Sequence, residues 1–251
     1  MSNSDDTSFV DSTHKATNSV EVYSVYSAGG LSTQYELAMN VLIKEAVWQL
    51  SNGKFQFVLP QSKEMRGLEL EAANIRNVDL LELVQADVVV ARFDGLELDA
   101  GTVVEFTLAK SLGKPTVILR CDSRHLSGQD LDEPYNLMVK GWPRTVEVYI
   151  DSLINYISSF NKEHQALGDR VTFQATMKAE LNTVQKGIDE ISKKIIDGLE
   201  AVVKMGSPYP SEYQEIVYKA LRYSPGGGFD KLLTEEELGR IIQRLRKNGT
   251  L

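Results

Sequence analysis

One cysteine, Cys121, stands among 251 residues, so no disulfide can close within the chain, and a reducing compartment fits. The three histidines (His14, His125, His164) are scattered and, with one thiol, give no metal-ligand spacing. Neither a metal nor any other cofactor is expected. No apolar run approaches the roughly 20 residues of a membrane span. Met1 to Ser19 is polar throughout, without the apolar centre of a signal peptide. The cytoplasm is therefore the expected location, with no membrane partner. Positive charge is also short: 27 Lys and Arg against 35 Asp and Glu give a formal net charge of −8. That balance argues against nucleic acid or an anionic surface as partner. What remains, 42% hydrophobic and 25% charged residues, is the composition of an ordinary soluble globular protein.

The pattern along the chain divides it into three. Residues 1–19, rich in Ser, Thr, Asp and Asn, read as a disordered arm. Residues 20–160 alternate strand and helix signals. Val20 to Ala28 is a Val- and Tyr-rich strand ending in Gly29-Gly30, and Ser32 or Thr33 caps a helix from about Gln34 to Leu50. Phe55 to Leu59 is a second strand. A helical stretch from about Leu68 to Val84, broken near Asn74, precedes a third strand from Ala86 to Phe93. A helix from Thr102 to Leu112, with Val104, Leu108 and Leu112 on one stripe, leads to a fourth strand, Thr116 to Leu119. Thr145 to Val148 is a fifth, followed by a helix from Tyr149 to Phe160. Strands that alternate with helices predict a five-stranded, doubly wound parallel sheet, flavodoxin- or Rossmann-like. Residues 161–251 form an all-helical extension. A long helix spans about Thr172 to Met205, with Leu181, Val184, Ile188, Ile191 and Ile195 in a heptad-like seam. Gly226-Gly-Gly228 reads as a flexible joint, and Thr234-Glu-Glu-Glu237 as a capping box opening a last helix.

Strand, glycine turn and helix make the generic phosphate-binding arrangement, but the first turn, A-G-G-L-S-T, contains no Lys or Arg. The turn after the third strand is different in character. Asp94, Glu97, Asp99 and Glu105 gather there, outside the carboxyl end of a strand, where open α/β sheets bind ligands. Carboxylates in such a crevice suit acid, base or nucleophile chemistry, or sugar hydroxyls. Thr102-Val-Val-Glu105 is equally a capping box, in which Glu105 turns back to its own helix start. The local pattern leaves both readings open.

Taken together, residues 20 to 145 resemble the nucleoside 2-deoxyribosyltransferase family. The resemblance lies in Asp99-Ala-Gly-Thr-Val-Val-Glu105 with Ala109 and Gly113-Lys-Pro115, and in Pro134-Tyr-Asn-Leu-Met138 with Gly141-Trp142. Tyr26 beside the glycine turn, Gln61 after the second strand and Asp79, seven residues before Ala86, complete it. It implies exchange of nucleobases on 2-deoxyribose through a glycosyl-glutamate, with Glu105 as nucleophile and its place in the first helical turn favouring the anion. It gives Asp79 and Asp99 to the base as proton donor and hydrogen-bond partner, and Tyr26 the role of orienting Glu105. Gln61 would face the nucleobase, Asn136 would hold sugar hydroxyls, and Gly29, Gly30 and Thr102 would line the substrate. The implied partners are a deoxynucleoside and a free base, in a homo-oligomer whose neighbouring subunit lends the asparagine.

Two departures from the family stand out: the long extension, and Arg92 and Phe93 in place of small residues. The alternatives are an N-glycosidase of deoxynucleosides or their 5′-monophosphates, and a non-catalytic nucleotide-sensing module with the helices as effector. Asp99, six residues before Glu105, and a first loop without arginine weigh against the phosphate-reading hydrolase.

Overall fold

The computed structural model describes residues 21–64, 72–123, 135–169 and 171–251. The polar arm, His125 and most of the loop after the fourth strand lie outside these residues. Five parallel strands form one sheet: β1 (Tyr23–Ala28), β2 (Phe55–Val58), β3 (Val88–Arg92), β4 (Thr116–Arg120) and β5 (Thr145–Tyr149), in the order β2-β1-β3-β4-β5. This is the flavodoxin-like order, with its switch point between β1 and β3. The register puts Ala28 opposite Ala91, so β1 and β3 end side by side.

The sheet is apolar on both faces, and each is covered by helices from both parts of the chain. On one face, Tyr23, Val25, Phe55, Phe57, Val88 and Val90 meet α1 (Gln34–Leu50) and α6 (Phe173–Val202). On the other, Tyr26, Val89, Ala91 and Ile118 meet α3 (Ala72–Gln85) and α4 (Ala100–Ser111). That same core takes in Tyr218 and Leu221 of α7 (Ser211–Leu221), Phe229 of α8 (Phe229–Leu232), and Leu238, Ile241, Ile242 and Leu245 of α9 (Glu235–Lys247). A four-residue helix α2 (Gln61–Glu64) and α5 (Ser152–Gln165) complete the set.

Several local expectations are corrected. α3 runs unbroken through Asn74, an exposed site where asparagine costs a helix little. The buried residues within α4 are Thr102, Phe106, Ala109 and Lys110; of the expected stripe, Leu108 and Leu112 pack on the core but Val104 is 61% exposed. Phe106 wins the inward position because Phe93 and Trp142 pack against its ring, at 5.5 and 6.1 Å between centroids. At α9, Thr234 caps Glu237 N, but the Glu237 carboxylate goes to Arg240 instead of closing the box. The three consecutive glycines form a shaped turn, with φ of +63°, +57° and +80°.

The seam of α6 splits. Ile191 and Ile195 are buried against the sheet and Ile188 is buried beside them, whereas Leu181 and Val184 of the same stripe, with Phe173 and Met177 before them, are exposed. α5 pairs with α6 through its polar side: Glu163 accepts from Asn182 at 3.1 Å and pairs with Lys186, and Ser159 is buried. Its apolar side, with Leu153 and Ile157, is exposed. No helix among the described residues is long and apolar enough to cross a membrane.

At the edge where the strands begin, three cationic side chains are buried and satisfied by carbonyls. Lys110 Nζ donates to Lys114 O and Arg144 O at 2.8 and 2.9 Å, and Lys114 Nζ donates to Ala86 O at 2.6 Å. Arg144 donates to Gly113 O, Met205 O, Gly249 O and Thr250 O, all within 3.1 Å. Asn248 and Thr250 also reach Asp87, so the end of the chain is anchored here. Burial pushes both lysines down to about 7. Unfolded, they keep their protons to about pH 10, so between pH 7 and 10 the unfolded chain binds more protons than the folded one. Stability should therefore rise with pH across that window, by at most about 1.4 kcal/mol per pH unit for each lysine. The gain should end where Tyr23, Tyr26 and Tyr218, held by burial above the ordinary tyrosine range, begin to favour the unfolded chain. Urea unfolding midpoints at pH 7, 8 and 9 measure the slope, and Lys114→Met should flatten it.

Candidate active site

β1 carries Tyr26 on the face shared with α3 and α4, and its phenol has no exposed surface. A buried hydroxyl needs a partner, and here it is Glu105: Tyr26 Oη donates to Glu105 Oε1 at 2.5 Å, across 79 residues of sequence. This contact settles the capping question. α4 begins at Ala100 with Asp99 as its cap, whose Oδ2 accepts from Thr102 N and Thr102 Oγ1, both at 2.8 Å. Glu105 is therefore the sixth residue of α4, in its second turn, and completes no box.

The dipole argument for a readily ionised Glu105 fails with that register. Burial pushes its carboxyl up to about 7, Asp79 and Asp99 add to the rise, and the Tyr26 hydrogen bond opposes it. The Tyr26 phenol is in turn held well above its ordinary range, first by burial and then by Glu105. The carboxylate opens into a cavity of about 530 Å³, lined by Ile75, Arg76, Asp79 and Leu80 of α3 and by Ala100, Gly101, Val104 and Glu105 of α4. The cavity thus joins a partly buried, hydrogen-bonded carboxylate to a second acid, Asp79, between mainly apolar walls. Such an arrangement can attack an electrophilic carbon on one side and exchange a proton on the other.

The remaining sequence-derived residues are placed as follows. Asp99 and Thr102 lie together at the start of α4, bonded to each other. Gln61 turns toward α1: its Oε1 accepts from Asn40 Nδ2 at 2.8 Å and its Nε2 donates to Leu37 O at 3.1 Å. Asn136 caps the short 3₁₀ turn Leu137–Val139 and lines a separate cavity of about 400 Å³ with Gly95, Glu97, Arg120 and Tyr135. Gly29 and Gly30 lie at the end of β1, where Arg92 covers them. A Cβ on Gly29 would come within 3.4 Å of Arg92 Nη2, and that nitrogen lies 3.5 Å from Gly30 O. The first turn therefore has an arginine, supplied by β3. The strand order could have shown this, since β1 and β3 end side by side. The anion position there is contested by Glu36, which closes a capping box with Thr33 and would meet a Cβ on Gly30 at 2.2 Å. Among the described residues, no group of three or more His, Cys, Asp or Glu could hold a metal ion.

Residues 25–138 match the family model described as nucleoside 2-deoxyribosyltransferase. Among solved structures, a conserved protein from Enterococcus faecalis V583 is 26% identical, over 53% of this chain and 94% of its own, with a TM-score of 0.45. A 2-desoxiribosyltransferase from Leishmania mexicana is 21% identical, over 57% and 99%, with a TM-score of 0.41. A 2-deoxyribosyltransferase from Bacillus psychrosaccharolyticus is 17% identical, over 51% and 85%, with a TM-score of 0.40. No curated protein is significantly similar to the chain.

Removing the Tyr26 hydroxyl tests the electrostatics of the pair. Its hydrogen bond is the one influence named above that favours the Glu105 anion. Tyr26→Phe should therefore raise the Glu105 titration midpoint above 7, which carboxyl-carbon NMR would follow directly. The buried anion also loses its donor, at a cost of roughly 1–3 kcal/mol at alkaline pH.

Proposed function

Taking residues 25–138 as a nucleoside 2-deoxyribosyltransferase domain, we propose that the chain moves 2-deoxyribose between nucleobases through a glycosyl ester on Glu105. The observation that carries this reading is the Tyr26–Glu105 hydrogen bond at the wall of a cavity shared with Asp79. The Glu105 carboxylate attacks C1′ as the C1′–N bond breaks. The bond's electron pair stays on the base nitrogen, which takes a proton from Asp79. A second base then attacks C1′, releases Glu105 and returns its proton to Asp79. This is the retaining two-carboxylate scheme applied to an N-glycoside. Asp99 serves by holding the start of α4, and so the register of Glu105, and Gly101 and Val104 supply the floor. Because burial sets Glu105 near 7, about half of it is anionic at neutral pH, and kcat/KM should rise as pH increases through 7.

The test is incubation of deoxyinosine with adenine in the presence of EDTA. New deoxyadenosine is expected. Free deoxyribose alone would mean that water, and not a second base, resolves the ester. Glu105→Gln should lower the rate by several orders of magnitude while the fold survives. A 2-fluoro-2-deoxy nucleoside should add its sugar mass to the peptide containing Glu105, and a label on another carboxylate would refute this mechanism.

One observation favours the second reading, hydrolysis of deoxynucleoside 5′-monophosphates: Arg92 over Gly29-Gly30 offers a cation at a strand-to-helix turn. Against it stand the Glu36 carboxylate on the same turn and Asp94, 3.6 Å from Arg92 Nε. A 5′-phosphate would meet two anions there, so the unphosphorylated nucleoside should be preferred in the same assay.

The chain is also read as a homo-oligomer, because Phe173, Met177, Leu181 and Val184 continue a buried stripe without cover. Light scattering should give more than one chain per particle, and Leu181→Glu should reduce that mass. A monomeric wild type would contradict it.

A further inference from the structure

We propose that the helical extension is part of the working site: a clasp between Asn77 and the Gly226–Gly228 turn holds α3, and with it the Asp79 wall of the Glu105 cavity. The inference rests on the Glu105 cavity being the site, and it assigns a function to the part of the chain that the family match leaves out.

α3 supplies Ile75, Arg76, Asp79 and Leu80 to the cavity. Its apolar anchors, Leu80, Leu83 and Val84, all lie in its second half, while Ala73, Asn74 and Arg76 in the first half are exposed. Full burial therefore fixes the helix from Leu80 onward and leaves the turn before it, with Ile75 and Arg76 and ending at Asp79, to other forces. The clasp acts there. Asn77 is buried, and its Nδ2 donates to Gly227 O at 2.8 Å. Its Oδ1 accepts from Arg76 Nη2 at 2.9 Å and from Nε at 3.3 Å, and the same Nη2 lies 3.5 Å from Gly226 O. A buried amide satisfied in this way is costly to displace.

The turn is shaped for the contact. Three successive left-handed φ values are open to glycine at little cost, and they aim two carbonyls at α3. A Cβ on Gly227 would lie 2.7 Å from Arg76 Nη2, so a side chain there would push the Arg76 guanidinium from its place. At the far end of α3, Arg244 donates to Gln85 O, and Gln85 Nε2 lies 3.4 Å from Glu237 Oε1. The extension thus grips α3 at both ends. Asn77 touches no reacting atom and acts as a positioning residue.

The groups facing Glu105 are Tyr26 from β1, Asp79 and Arg76 from α3, and Asp99 at the cap of its own helix. If the clasp holds the α3 groups in place, releasing it should let water into the cavity and move Asp79 away. Both changes favour the Glu105 anion. The experiment follows the Glu105 carboxyl by carbon NMR in the full chain, assigned with Glu105→Gln, and measures the KM for the acceptor base. Asn77→Leu keeps the volume and removes the amide, and Gly227→Ala strains the turn from the other side. Each should lower the titration midpoint from near 7 and raise the KM several-fold, up to about thirtyfold. Ile195→Val, buried beneath the opposite face of the sheet, is the control and should leave both unchanged at a comparable loss of melting temperature. A midpoint that stays at the wild-type value in both clasp variants would overturn the proposal. Because the titration needs no turnover, it decides the clasp even if the base-exchange assay fails, and that assay alone decides the function.

Discussion

A parallel sheet whose central strand is apolar on both faces has to be covered twice, and most of this structure follows from that requirement. Val88 and Val90 point to one side, Val89 and Ala91 to the other, and all four are buried. α1 covers the β1–β2 part of one face, and α6 reaches across β4 and β5. Gly198 lets α6 lie close, since a Cβ there would meet Val148 and Val117 at 3.1 and 3.3 Å. On the other face α3 and α4 cover the centre, and α7, α8 and α9 add the rest of the core. The extension's apolar stripes therefore complete the covering of a sheet that the first 160 residues lay down.

The same layering creates the cavity. α3 and α4 lie side by side on one face, and where they part above the strand ends, the carboxylate of Glu105 is left between mainly apolar walls. Its proton affinity follows from that placement: low-dielectric surroundings raise it, and the one buried phenol within reach partly restores the anion. A carboxylate held near its midpoint at neutral pH can both gain and lose a proton there.

Much of this was legible in the sequence, and the reason is local. Caps and turns declare themselves within a few residues: Thr33 caps α1, Gly113-Lys-Pro115 ends α4, and the β-branched run before Phe93 is β3. The doubly wound parallel sheet was predictable from the alternation of elements, though not the order of its strands. What was hidden depends on contacts between distant parts of the chain. T-x-x-E at 102–105 looks like a capping box until Asp99 takes the cap and Tyr26, from β1, takes the glutamate. Arg92 covers a glycine turn 62 residues away, and the triple glycine is set by a buried amide on α3. The seam of α6 was readable as a stripe, but periodicity does not say that the sheet covers only its second half.

The two edges of the sheet are used differently, and helix polarity explains how. In a doubly wound sheet the helices run antiparallel to the strands, so their C-terminal carbonyls collect where the strands begin and their N-termini where the strands end. The carbonyl-rich edge holds the buried cations: Lys114 on Ala86 O, just past α3, Lys110 on Lys114 O, and Arg144 on Gly113 O, just past α4. The opposite edge holds the acids, with Asp99 capping α4, Asp151 capping α5 and Glu36 closing the box on α1. The end of the chain, bound through Gly249 O and Thr250 O to Arg144, belongs to the cationic edge. Gly249 and Thr250 therefore lie across the sheet from Glu105. The cavity wall that faces α4 is supplied by α3. That helix carries Asp79, and two residues before it Asn77 donates to Gly227 O of the extension.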